Sequence, residues 1–219
     1  HEVPLKLARN YNANSFSKRG LFGLRWFSNL DQSLRFTFTG GGVCDAVPGA
    51  TAACILPSYA NNTIASVTRI GGDGAQEVFD YHAASGTWKN PAPDTNATIV
   101  RNADKTWTVQ YKSGALEHYN VEGYVAEVRN AEGIGHVFTY AGRYLQRVTH
   151  TGGHYIDLGW NGHHLASATD SAGNVVTYGY TADGHLNQVV LPGTPAVTRT
   201  YHYEGQPGLM TGVSVNGIR

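Results

Sequence analysis

Ten histidines are the residues of this chain best suited to chemistry, and two groups are dense enough to consider as metal ligands. His150 and His154 flank a Gly-Gly turn, and His163 and His164 are adjacent. A protein zinc site draws three or four ligands onto one point. Neighbouring residues on a strand point to opposite faces, so His163 and His164 do not converge. No carboxylate or third histidine is placed to complete a site around His150 and His154. Both groups read as ordinary hairpin histidines, and no metal or cofactor is expected. Asp157, Asp170 and Asp183 suggest paired carboxylates for acid–base work, yet Asp170 and Asp183 sit in turn signatures, where such a side chain bonds the local backbone. No Gly-x-Ser-x-Gly, phosphate loop or Cys/His pairing appears. The chain is not expected to be an enzyme.

Two other residue types could do a job. Cys44 and Cys54 lie in the Gly/Ala/Pro-rich segment GGGVCDAVPGATAACILP. The choice is between two free thiols and a disulfide closing a short loop, and the absence of zinc-ligand spacing nearby favours the disulfide and an oxidising compartment. Tyr119, Tyr140, Trp160, Tyr180 and Tyr203 could be a ladder on which sugar rings stack, or the packing row of a repeat. Their recurrence in every unit favours packing. Asn61-Asn62-Thr63 and Asn96-Ala97-Thr98 match glycosylation sequons, which matter only in a eukaryotic secretory path.

The elements that carry these residues are strands. Charged residues make up 15% of the 219, while Gly (27) and Tyr (13) are plentiful, a mixture that suits short strands and Gly turns. Lys plus Arg (16) equals Asp plus Glu (16), which gives no pull toward nucleic acid or anionic lipid. No run of about 20 apolar residues is present to span a bilayer. The opening His1-Glu2-Val3-Pro4 reads as a cut from something longer.

The second half repeats. Gly133, Gly153, Gly173 and Gly193 recur every 20 residues, and Gly123, Gly142, Gly162, Gly184 and Gly205 run in parallel. The five aromatics precede this second set. Val125, Leu145, Leu165 and Leu186 follow it, and then Val128, Val148, Ala168 and Val189. Each unit reads as two period-two strands and two turns, as in Tyr155–Trp160, a tight turn at Asn161-Gly162, and His164–Thr169. Strands are also expected at 34–39, 64–70, 76–82 and within 97–112, with turns at Gly86 and Ala103-Asp104 and 40–62 as a loop. The fold expected is all-β, an antiparallel meander of stacked hairpins forming a curved strip. An irregular region 1–114 precedes repeats 115–219 in one continuous body.

These repeats resemble the YD-repeat family, whose consensus centres on Tyr-x-Tyr-Asp-x-x-Gly-Arg-Leu. Tyr178-Gly179-Tyr180-Thr181-Ala182-Asp183-Gly184-His185-Leu186 matches it with Thr181 for the Asp and His185 for the Arg. Tyr119-Asn120-Val121-Glu122-Gly123 keeps the spacing, while the copies at Tyr140, Trp160 and Tyr203 have shortened turns. Pro4-Leu5-Lys6-Leu7-Ala8-Arg9-Asn10-Tyr11-Asn12 and Gly20-Leu21-Phe22-Gly23-Leu24-Arg25-Trp26, followed by Asp31 and Leu34, resemble the entry region of Rhs proteins. The resemblance covers residues 4–39 and 115–213. It implies the opening part of a secreted or surface-exposed bacterial shell around a C-terminal toxin or effector. The plug with its Asp-Pro autoproteolysis motif and the cargo are absent from the sequence. Expected partners are downstream repeats and the effector, with self-association through open sheet edges as a further route. A carbohydrate-binding or adhesive module is the alternative.

Overall fold

The computed structural model describes residues 4–14, 19–46, 59–92, 96–205 and 208–219. Among them the chain is nearly all β, with one 3-10 turn at Asn61–Thr63. Four short strands come first: β1 (Arg9–Tyr11), β2 (Arg19–Gly20), β3 (Gly23–Leu24) and β4 (Trp26–Ser28). β1 pairs with β4 and β2 with β3, as two small ribbons apart from the main sheet.

All later strands join one sheet. They are β5 (Ser33–Phe38), β6 (Val43–Asp45), β7 (Ile64–Ile70), β8 (Gln76–His82), β9 (Thr87–Lys89), β10 (Ala97–Arg101), β11 (Trp107–Tyr111) and β12 (Leu116–Tyr119). The repeats continue it as β13 (Val125–Arg129), β14 (Gly135–Ala141), β15 (Tyr144–His150), β16 (Tyr155–Asn161), β17 (His164–Asp170), β18 (Val175–Tyr180), β19 (Leu186–Leu191), β20 (Val197–His202) and β21 (Gly212–Val215). From β7 to β21 every strand pairs antiparallel with its sequence neighbour. This is the meander the alternating pattern predicts. At its start β5 pairs with β7 on one side and β6 on the other. β6 and β21 are therefore the two ends of an open strip, and among the described residues no strand register joins them.

The strip curls without closing. Ser33 forms an antiparallel bridge with Tyr124, and the Leu34 N–H donates to the Gly123 carbonyl at 2.9 Å. The start of β5 thus touches the turn between β12 and β13. The first half of the core fills the space inside this curl, with Phe36, Ile64, Val67, Phe79, Trp88, Ile99, Trp107 and Tyr119 all buried.

Three expectations need correction. Segment 40–62 is not all loop, because Val43–Asp45 is a strand that carries Cys44. The tight turn read at Asn161-Gly162 lies one residue later: Asn161 pairs with His164, and only Gly162 of the two has a positive φ (57°). That is a two-residue turn with glycine first, the type II′ arrangement. Most important, strict period-two alternation breaks once in each of the four hairpins from β12 to β19. Thr139 pairs with Arg147 but Tyr140 with Leu145, so Gln146 is an extra residue. The same slip makes Ala126, Ala166 and Asn187 extra residues in β13, β17 and β19. A bulge of this kind shifts the side-chain phase by one. It is why Leu145 and Val148, three apart, are both fully buried, as are Leu186 and Val189.

The bulge also marks a hairpin hidden in the first half. Phe38 pairs with Ile64 and Thr37 with Ser66, leaving Ala65 extra, with Ile64 and Val67 buried. The geometry matches the later repeats, but the excursion carrying β6 separates its two strands.

Candidate functional site

The five row aromatics are joined by a second set of rings that sequence reasoning overlooked. Tyr124 faces Tyr140 with centroids 5.5 Å apart, Tyr144 faces Trp160 at 5.2 Å, His164 faces Tyr180 at 4.6 Å and His185 faces Tyr203 at 5.3 Å. Each pair links a residue just after one hairpin turn to the row aromatic of the following hairpin. Aromatic pairs of this kind add about 0.5–1.5 kcal/mol beyond their burial. The signal was in the sequence, since Tyr124, Tyr144, His164 and His185 all stand one or two places after a row glycine.

Polar handles fix the row further. Trp160 Nε1 donates to the Leu145 carbonyl at 2.8 Å, and the Tyr203 hydroxyl to the Leu186 carbonyl at 2.6 Å. Tyr119 is buried, while Tyr140, Trp160, Tyr180 and Tyr203 are half-buried and packed against the core. Burial holds the Tyr140 hydroxyl well above the usual tyrosine range. The row glycines all have positive φ. Gly123 is the most constrained, because a Cβ there would stand 2.7 Å from Phe36 Cε2.

The entry segment lies across these repeats rather than ahead of them. Phe22 meets Tyr178 with centroids 5.0 Å apart, and Trp26 meets Tyr201 at 4.7 Å. Trp26 Nε1 donates to the Tyr203 hydroxyl at 3.1 Å. The Tyr11 hydroxyl donates to the Gly208 carbonyl and accepts from the Met210 N–H, so β1 is tied directly to the segment between β20 and β21. Gly23 bridges to His185. Asp31 organises the loop, its carboxylate accepting from Leu21 N–H at 2.8 Å and Ser28 N–H at 2.7 Å. A Cβ on Gly20 would lie 2.1 Å from that carboxylate. The Gly and Asp of the entry motif therefore occupy one space between them.

Buried charge sits elsewhere. Arg69 on β7 binds Glu117 on β12 with both prongs, Nε to Oε2 at 2.6 Å and Nη2 to Oε1 at 2.5 Å, and Tyr119 donates to the same carboxylate at 2.6 Å. Burial works against the Arg69 charge, but the Glu117 carboxylate outweighs it and raises the guanidinium above its ordinary value.

The histidines do not gather. His163 lies beside the Tyr144 hydroxyl and His164 against Tyr180. His150 Nδ1 accepts from the Gly152 N–H at 2.9 Å, and its ring faces His136 rather than His154. Among the described residues no three His, Cys, Asp or Glu side chains stand together as a metal site. Asp170 accepts from the Ala172 and Asn174 N–H groups and the Asn174 amide. These bonds, led by the amide, hold its carboxyl below the usual range. Asp157 instead pairs with Arg147 on the neighbouring strand. Among the described residues no cysteine is free, and Cys54 lies outside them. No helix among them is long and apolar enough to cross a membrane. No family model matches the chain, and no curated protein matches it by sequence.

Proposed function

We propose that this chain is a wall segment of an Rhs/YD-type shell, which sequesters or presents an effector domain beyond Arg219. The observation that carries this reading is the ladder of ring pairs along one uninterrupted sheet, each hairpin braced on the next, together with the entry segment laid over the repeats. Such a wall has its backbone polar groups paired within the sheet and gives proteases little loose chain to grip. The motif resemblances supply the family. On this reading the protein works outside the producing cytoplasm, and a Cys44–Cys54 disulfide stiffens the excursion between β5 and β7. Catalysis is not part of the proposal. A glycan ladder draws less support, because the row rings are already engaged by neighbouring rings and carbonyls.

Limited proteolysis of the natural full-length product tests the shell. The segment beyond Arg219 resists digestion when the repeats are intact and is cut when Tyr180→Asp and Trp160→Asp disrupt the ladder. Equal cleavage in both proteins would overturn the reading.

A further inference from the structure

The apolar face of the repeats extends past the entry segment that covers it. Two open grooves run side by side there, between residues 4–9 and strands β16 to β19. One, about 340 Å³, has Leu7, Ile156, Val176, Tyr178 and Leu191 on its walls and Arg9 at its rim. The other, about 500 Å³, begins at Pro4 and Leu5 and passes His154 and Tyr155. They meet at Ile156 and Asp170, which line both. The sizes fall within the range of ligand clefts, about 300–1,000 Å³.

The same face already binds one extended segment. Residues 4–8 have no regular structure, and Leu5 and Leu7 pack against the core from alternate positions. Asn29 holds that backbone, accepting from the Ala8 N–H at 2.6 Å and donating to the Lys6 carbonyl at 2.8 Å. The charges at the rim are unequal in their availability. The Asp170 carboxylate is taken up by its own turn, whereas the Arg9 guanidinium donates its Nε to the Tyr201 hydroxyl at 3.2 Å and makes no ion pair among the described residues.

We propose that this double groove docks a second extended peptide, apolar at alternate positions, with an acidic group at the Arg9 end. Alternation suits it because every second side chain of an extended chain points the same way. The proposal rests on the shell reading only for the source of the peptide, a segment of the enclosed domain; the groove itself is tested apart from it.

The probe is a fluorescein-labelled heptapeptide with leucine at alternate positions and two glutamates at its C-terminus, titrated into the 219-residue chain by fluorescence anisotropy. The expected result is saturable binding, weakened at least tenfold by Val176→Glu and by Leu191→Ser, each compared at an unchanged melting temperature. Arg9→Glu should reverse the preference, favouring the same peptide ended by two lysines. Absence of saturable binding, equal affinity in both groove variants that fold, or no charge reversal would each overturn the proposal. Peptide binding without protection of the downstream segment would sink the shell and leave the groove standing. Protection without peptide binding would do the opposite.

Discussion

Arg69, half-buried, and Glu117, buried, form a two-pronged ion pair between strands that are not neighbours in the sheet. β7 and β12 stand opposite one another only because the strip curls, so the pair staples the curl. Removing one partner of such a pair strands the other charge, at a cost of about 3–5 kcal/mol. Glu117→Ala should therefore lower stability by that order in urea unfolding, with Arg69→Met/Glu117→Leu recovering most of the loss. A single-variant cost below about 1 kcal/mol would mean that water reaches the pair and that it holds no curl together.

Glycine substitutions should separate two effects. A non-glycine residue in the left-handed region costs about 1–2 kcal/mol. Gly133 has φ 78° and open space around its missing Cβ, so Gly133→Ala should lose about that much. Gly123 has φ 91° and in addition faces Phe36, and Gly123→Ala should lose clearly more. Gly184→Val belongs with the second group, because a Cβ there would meet His164 Nε2 at 2.9 Å. Thermal melts that rank Gly133 with Gly123 would show that the Phe36 contact relaxes freely.

Deleting Ala166 would remove a bulge without removing a core side chain. Leu165 and Ala168 would then stand two apart and still share one face of β17, so both stay in the core while the ladder becomes regular. A cooperative melt is therefore expected to survive the deletion, followed by circular dichroism. Ala166→Ser, which keeps the residue count, should melt within about 2 °C of the parent, in line with the small effect of most surface changes. A melt broadened by the deletion but not by the substitution would show that the bulge does more than keep these two residues in phase.

The pH dependence follows from His136. Burial, then the adjacent His150, depress its pKa in the folded chain. A histidine depressed in the fold binds fewer protons than in the unfolded chain, whose value is about 6.5. Its contribution is complete above that value and declines as pH falls through it toward the lower folded value. The melting temperature should hold from pH 8 to about 7 and drop below about 6.5, and His136→Gln should flatten that drop. An identical decline in His136→Gln would assign the effect to other groups.

Much of this molecule was written locally. Strands at 64–70 and 76–82 coincide with β7 and β8, because β-branched and aromatic residues alternate there between turn signals. The repeat was legible for the same reason, each glycine standing where a turn needs positive φ. The three-residue spacing of Leu145 and Val148 was also visible, but only the register explains it, since a bulge is a relation between two strands. The hairpin of Phe38 and Ile64 was hidden by the insertion between them, which hides a periodicity while leaving pairing possible.

What tertiary structure alone decided is which distant residues meet. Nothing in local sequence places Tyr11 against Gly208 and Met210, Trp26 against Tyr203, or Arg69 beside Glu117. Those contacts depend on how far the strip curls and on which face the entry segment covers. Turn chemistry and alternation act over a few residues and determine the strands. The curl is the summed twist of a whole sheet, settled only when its apolar face finds something to cover it.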